Sequence, residues 1–346
     1  MITEKDRQII DFIRKNAGSS SKYVFENAAV SVSYATLKRM LTKLVAERCI
    51  VIEGQGKGTR YFLSPSFELV QPISIDEYYE KEIDERQIKE TFNFELVNKI
   101  LNRNSVFTEK ELEKLDQLQK VYTANIIDLS PSEYQKELER LAIDLSWKSS
   151  QIEGNTYSLL ETERLLKEKQ TASGKTKEEA VMLLNHKDAL DFIIENQEYI
   201  TPLTVSKIED IHKMLTKELG VEKNVRKRRV GISGTNYRPL DNEFQILEAL
   251  KDACSVINNK ESIFEKALLA LVLISYIQPF MDGNKRTARI VSNAILMNYM
   301  YCPLSFRTVD AVDYKKAMLL FYEQNNISAF KDIFIGQFEF AVRTYF

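Results

Sequence analysis

The stretch 267–277, ALLALVLISYI, limits this chain more than any other, because it is apolar on nearly every side of a helical projection. A helix of that kind has to be covered all round, by lipid or by a large protein core. The run is well short of the roughly 20 residues that span a bilayer. It is therefore expected to be the central helix of a helical domain. The segment just after it is chemically dense. Pro279 prevents simple continuation of the helix, Gly283 permits a tight bend, and Asn284 begins a second helical pattern over 284–300. The free N–H groups and positive dipole end of that second helix would point into the loop, a ready anion site. Lys285 and Arg286 add charge at its mouth. Arg289 lies on the same face as Arg286, so the two can grip successive phosphates. Asp282, at the tip, is a hard oxygen ligand suited to a Mg²⁺ that bridges phosphate oxygens.

Helical patterns fill the rest of 96–346, at 109–126, 131–153, 158–169, 177–195, 204–218, 243–258 and 261–277. The exception is 225–240, VRKRRVGISGTNYRPL, where β-branched residues and turn signals predict a hairpin. The fold class is mainly α.

The first 68 residues read as a separate module. Ile9, Ile10 and Ile13 have helical spacing in 4–16, and a short second helix is expected near 20–29. Ser33 has the character of an N-cap for a third helix with Leu37, Met40, Leu41, Leu44 and Val45 on one face. CIVIEGQGKGTRYFLSP then predicts two short strands around a Gly-rich turn. Three helices and a hairpin resemble a winged helix-turn-helix, in which the third helix enters the major groove of a duplex. That resemblance implies Tyr34, Thr36, Lys38, Arg39 and Lys43 as base-facing or groove residues, with Lys57 and Arg60 on the wing against phosphates. Residues 1–66 carry eleven Lys/Arg against six Asp/Glu, a balance that favours double-stranded DNA over the alternative, a protein–protein module. Residues 69–95 are acidic and weakly periodic, and are expected to be a linker.

Net charge is −2, so no global field points to nucleic acid or membrane. Cys49, Cys254 and Cys302 are far apart and lack a CxxC partner, which argues against a disulfide framework and a zinc cluster. Charges interrupt MITEKDRQII where a secretion signal needs its apolar core. A cytoplasmic protein is expected, with no membrane partner.

The segment 278–289, QPFMDGNKRTAR, resembles the signature of the Fic family, His-Pro-Phe-x-Asp/Glu-Gly-Asn-Gly/Lys-Arg-x-x-Arg. It matches at Pro279, Phe280, Asp282, Gly283, Asn284, Lys285, Arg286 and Arg289, while the family's His is Gln278 here. The resemblance implies a Fic-like domain over 96–346 that moves AMP from ATP, with Mg²⁺ at Asp282, onto a hydroxyl side chain of a target protein. It assigns Gln278, Asp282, Asn284 and Arg286 to catalysis. It assigns Gly283, Asn284, Lys285, Arg286, Arg289, Gly234, Tyr237 and Tyr314 to the nucleotide. The stretch 149–155, SSQIEGN, is similar to the family's inhibitory motif, whose Glu pairs with the last signature Arg and blocks seating of the γ-phosphate. The corresponding residues are Ser149, Glu153 and Arg289. Ser149 and Glu153 are spaced i and i+4, which suits one helix face. Gly154 also reads as an ordinary helix C-cap. The hairpin at GISGTNYRP resembles the family's flap, which covers the nucleotide and holds a target segment as an added strand. The basic run Lys223, Arg226, Lys227, Arg228 and Arg229 reads first as a solvated face and second as a lure for an acidic target. Family members often dimerise, so a homodimer is implied.

Gln278 changes the expected chemistry. Histidine can take the target hydroxyl's proton near neutral pH. A glutamine amide can only donate and accept hydrogen bonds. Loss of a general base costs about 10²–10⁴-fold in rate. The two histidines, His186 and His212, lie on amphipathic helices and read as core or surface residues. Three readings arise. The first is an AMP transferase, autoinhibited by Glu153 and impaired by Gln278. The second is an inactive ATP-binding regulator acting through DNA. The third is altered phosphoryl chemistry such as AMP removal.

Overall fold

The structure, a computed structural model, describes residues 3–346; the first two positions of the N-terminal stretch lie outside the described residues. The chain divides into two compact units, Met1–Pro72 and Ile73–Phe346.

In the first unit, α1 (Glu4–Lys15), α2 (Ser21–Asn27) and α3 (Tyr34–Ala46) precede β1 (Ile50–Glu53), β2 (Arg60–Leu63) and a short α4 (Pro65–Val70). Local chemistry sets the helix starts. The Thr3 hydroxyl accepts from Asp6 N while the Asp6 carboxylate accepts from Thr3 N, and the Ser33 hydroxyl accepts from Thr36 N. The strands are antiparallel, with Ile50 opposite Leu63 and Glu53 opposite Arg60. Gly54 has φ +77°, and a side chain there would meet the Gly58 carbonyl at 2.5 Å, so the turn requires glycine. Ile9, Ile10, Ile13, Leu37, Leu41, Leu44, Ile50 and Leu63 form the core of this unit.

The second unit is helical. It contains α5 (Ile75–Tyr79), α6 (Glu109–Ile127), α7 (Pro131–Ile152), α8 (Leu159–Glu168), α9 (Lys177–Glu195), α10 (Val205–Leu215), α11 (Glu243–Asn259), α12 (Ile263–Ile277), α13 (Asn284–Asn298), α14 (Ala311–Gln324) and α15 (Ser328–Tyr345). Every residue of α12 from Phe264 to Ile277 is buried. The apolar run is thus the central helix, with α13 packed along it and α11 and α14 on other sides. Two charged residues enter this core because the surroundings satisfy them. Glu265 accepts from Ser105 Oγ and Val106 N, and Lys266 donates to the carbonyls of Ile257 and Asn258.

Two expectations need correction. The stretch 225–240 forms no β-ladder among the described residues; it is an irregular excursion whose one bridge is parallel, from Arg238 to Thr91. A buried guanidinium, Arg226, takes up carbonyls at both ends of the excursion, so those groups do not need a ladder. The acidic stretch also differs from a free linker, because 73–95 packs within the second unit. There the Tyr78 hydroxyl donates to Glu323 Oε2 at 2.6 Å, and Arg86 pairs with Glu323 at 3.6 Å with both side chains buried.

Candidate functional site

The loop between α12 and α13 is shaped by residues that cannot continue a helix. Helix α12 ends at Gln278 in the left-handed region, φ 51°, and Pro279 comes next. Phe280 is fully buried, its ring stacked on His212 with centroids 3.7 Å apart. Gly283, φ +79°, is the N-cap of α13, and a Cβ there would press on Thr216 at 3.3 Å. Asn284 then ties the loop to itself. Its Oδ1 accepts from Phe280 N at 2.8 Å, and its Nδ2 donates to the Phe280 carbonyl at 2.8 Å and to Gln278 Oε1 at 3.0 Å. Gln278 Nε2 in turn donates to the Ser275 carbonyl at 2.6 Å. Both ends of the Gln278 amide are therefore engaged.

The cations expected at the helix mouth are present, with unequal exposure. Arg286 is buried, and its Nη2 donates to Asp282 Oδ2 at 3.0 Å. Its Nε and Nη1 are buried without a protein acceptor, an arrangement that suits an anionic ligand. Burial pulls the Arg286 guanidinium down from its ordinary range, against the carboxylates of Asp282 and Glu153. Arg289 is fully buried and lies over the Tyr314 ring, 5.2 Å from its centroid.

Glu153, the C-cap of α7, reaches this cluster from a different part of the chain. Its Oε1 accepts from Arg289 Nη2 at 2.9 Å, and its Oε2 lies 3.3 Å from Lys285 Nζ. Ser149 adds two acceptors to Arg289, its hydroxyl at 2.8 Å and its carbonyl at 2.9 Å. Burial pushes the Glu153 carboxyl up, but Arg289 and then Lys285 hold it below the ordinary range. The carboxylate therefore stays charged until pH falls through that lowered value.

The other residues named from the sequence divide into those near the loop and those used elsewhere. Tyr237 is buried, stacks on Tyr276 and donates its hydroxyl to the Tyr276 carbonyl at 3.2 Å. Gly234, φ +92°, offers its carbonyl to Arg86 at 2.8 Å. As an oxygen donor set for Mg²⁺, Asp282 stands alone: no cluster of three His, Cys, Asp or Glu occurs among the described residues. Its carboxylate is 64% exposed, which fits a metal held mainly by phosphates and water.

Two residues escaped the sequence reading. Arg226 belongs to no solvated face: it is fully buried, donating from Nε to the Gln278 carbonyl at 2.6 Å, from Nη1 to Arg228 O at 2.8 Å and from Nη2 to Leu240 O. Its backbone N–H also reaches the Pro279 carbonyl at 2.9 Å. Only the buried Val225 beside it hints at this inward role. The neighbouring cations do lie outside, each beside an acid: Lys227 with Glu243, Arg228 with Glu222 and Arg229 with Asp241. His212 is the second. It is fully buried and its Nε2 contacts the Asp282 carbonyl at 3.0 Å. Burial pulls its pKa down to about 4, so the ring is neutral and donates that hydrogen bond. His186 is buried beside Ser146, and burial together with Arg289 and Arg286 pushes its pKa well down.

In the first unit Lys38, Arg39, Lys57 and Arg60 are exposed, and Thr36 is half-buried. Tyr34 is 38% exposed; its hydroxyl lies 2.9 Å from Ser21 Oγ, and Lys38 sits over its ring. Lys43 needs correction as a groove residue, because it is bound to the buried Asp6 at 2.7 Å. That carboxylate, read only as a charge, makes Lys43 a tie between α3 and α1.

No helix among the described residues is long and apolar enough to cross a membrane. Comparison with known proteins bears on the second unit. The protein adenylyltransferase Fic of Nematostella vectensis is 31% identical over 178 residues, covering 49% of this chain and 40% of that protein. The protein adenylyltransferase fic-1 of Caenorhabditis elegans is 27% identical over 160 residues, covering 44% and 31% respectively. The chain thus spans well under half the length of these curated relatives. Among solved structures, Fic-1 from C. elegans superposes with a TM-score of 0.58 at 20% identity, covering 68% of this chain and 72% of that one. A Fic domain containing signaling protein from Bacteroides thetaiotaomicron gives 0.57 at 18% identity, over 66% and 94%. Residues 202–296, which hold His212, Arg226 and the whole loop from Gln278 to Arg289, match the Fic/DOC family, and the helical unit has the fold of these Fic structures.

Proposed function

We propose that the second unit is a Fic-type AMP transferase site, restrained by Glu153 and impaired at its proton-transfer step by Gln278. The observation that supports it best is the bridge from Glu153 to Arg289 and Lys285, at the mouth of a helix whose Arg286 keeps buried, unpaired donors. In this reading a target hydroxyl oxygen bonds to the α-phosphorus of ATP. The bond from that phosphorus to the β-phosphate oxygen breaks, and pyrophosphate leaves. The N-terminal turn of α13, Lys285 and Arg286 hold the phosphates, and Arg289 receives the γ-phosphate once Glu153 lets go. Asp282 would hold Mg²⁺, whose contribution is to neutralise phosphate charge. His212 and Asn284 fix the loop backbone. Gln278, its amide engaged by Ser275 and Asn284, cannot accept the target hydroxyl's proton, which passes instead to solvent water, and this slows the transfer.

A second reading comes from the Gln278 amide, whose donor and acceptor are both engaged inside the loop. In it, ATP binds without turnover, and occupancy is communicated to a winged-helix first unit that contacts double-stranded DNA through Lys38, Arg39, Lys57 and Arg60.

Labelled ATP with Mg²⁺ tests both readings, with the parent chain compared to Gln278→His, Glu153→Gly and the double variant. Label on protein in the double variant, at roughly 10²-fold or more above the parent, supports the transferase. ATP binding without label in every variant leaves the regulator, for which duplex affinity must then fall steeply with salt. Failure to bind ATP in any variant ends both.

A further inference from the structure

Gln278 stands in a conformation that its neighbours in sequence do not favour. It caps the C-terminus of α12 in the left-handed region, φ 51° and ψ 58°, a place usually taken by glycine or asparagine. Pro279 follows, and a residue before proline is pushed towards extended backbone. A left-handed residue with a Cβ persists at such a place only where the surroundings over-determine it. Much of that determination comes from one residue, Arg226. Its Nε donates to the Gln278 carbonyl at 2.6 Å and its backbone N–H to the Pro279 carbonyl at 2.9 Å, so the two carbonyls that flank the proline ring are both fixed. The rest of the guanidinium is spent on the carbonyls of Arg228 and Leu240, which keeps the plane of the fork from turning. The side chain is fully buried, and each of its bonds ends on a backbone oxygen rather than a carboxylate.

The backbone at 278 decides where its side chain goes. In the left-handed conformation the amide folds back over the end of α12. Its Nε2 donates to the Ser275 carbonyl at 2.6 Å and lies 3.5 Å from the Tyr322 hydroxyl, while Oε1 accepts from Asn284 Nδ2 at 3.0 Å. An extended backbone there would send the Cβ elsewhere and break this set. We propose that Arg226 is a positioning residue for the group at 278, holding the backbone so that the side chain enters the socket of Ser275, Tyr322 and Asn284. That this placement serves group transfer rests on the transferase reading; the placement itself does not. For the reaction the role is geometric, since a misplacement of about 1 Å costs about 10²-fold in rate. The phosphates are held by other groups, the first turn of α13, Lys285 and Arg286, so loss of Arg226 slows the step without loosening the nucleotide.

Two measurements on the full chain test this. The first needs no nucleotide. The Gln278 side-chain amide resonance, identified by its absence in Gln278→His, is expected to exchange with solvent at least about tenfold faster in Arg226→Lys than in the parent, the fold-change of one lost hydrogen bond to a charged group. Lysine keeps the charge but brings no planar fork. The second measurement is label transfer in the Gln278→His, Glu153→Gly background, where adding Arg226→Lys should lower kcat about 10²-fold and leave KM for ATP within about threefold. Leu250→Ala, which truncates a fully buried side chain of α11, is the comparison for general destabilisation and should reproduce neither effect. An amide that exchanges as slowly in Arg226→Lys as in the parent overturns the proposal, as does a kcat that is unchanged or that falls together with ATP affinity. If Arg226→Lys departs from the parent in circular dichroism, Arg226→Gln must show the same acceleration of exchange, and slow exchange there overturns the proposal as well. Absence of transfer in the background removes the transferase reading, and amide exchange alone then decides the role of Arg226.

Discussion

The loop 278–283 and the excursion 225–240 both leave regular structure, and each carries backbone polar groups that no helix or ladder pairs. The turn at the loop's centre is tied from within, although Arg226 takes the Gln278 and Pro279 carbonyls and His212 that of Asp282. Asn284 satisfies both the N–H and the carbonyl of Phe280, four residues away. The excursion is tied by its own Arg226, whose guanidinium takes the carbonyls of Arg228 and Leu240 as well as that of Gln278 in the loop, and by a segment 148 residues distant in sequence that pairs with Arg238. A turn tied by its own side chain depends less on its neighbours for its shape. A loop closed by borrowed groups changes shape when the lender moves, which suits a surface that admits and releases a partner.

This contrast can be broken experimentally. Arg226→Leu should have the largest effect, since it strips three carbonyls of a charged donor. About 4 kcal/mol of stability is expected to be lost in chemical denaturation. The next effect is a pH dependence. The His212 pKa lies near 4 in the folded protein, below the ordinary histidine value of 6.5. The unfolded chain therefore takes up a proton that the folded chain refuses, and stability falls as pH drops from 6.5 to 4. The loss reaches about 3 kcal/mol. His212→Phe keeps a ring against Phe280 and should flatten this slope, leaving a residual of the same sign from His186. Asn284→Ala should cost about 2 kcal/mol and raise hydrogen exchange in 278–284 while leaving 225–240 protected. Equal loss of protection in both stretches would refute separate closure. Arg229→Ala, which removes only an exposed ion pair with Asp241, should leave the denaturation midpoint unchanged.

The same contrast explains what was legible. The central helix was evident from eleven consecutive positions with almost no polar side chain, and the loop from a dense run whose partners lie within a few residues. Glu153 was also reachable, because its own short motif accompanies it. Arg226 was not: in a run of four cations nothing local separates the buried one from three that pair at the surface. Residues 73–95 misled through composition. Their acids suggested a solvated connector, yet Tyr78 is held by Glu323, 245 residues away, and Arg86 is paired with the same carboxylate. The hairpin expected over 225–240 failed for a related reason. Its β-branched residues and turn signals are local, whereas the groups that replaced a ladder come from a side chain's tertiary placement. Lys43 likewise looked free until Asp6 of another helix stood beside it.

The Gln278 amide has a further consequence. Giving one hydrogen bond to Ser275 and taking one from Asn284, it plays the two parts a neutral imidazole would play in the same socket. The loop is thus kept in the form that a titratable side chain would find already built around it. Glutamine and histidine codons differ in their third base alone. If the transferase reading holds, a lineage carrying this chain could exchange a titratable for a non-titratable side chain at that position by a single-base change, without rebuilding the surrounding structure.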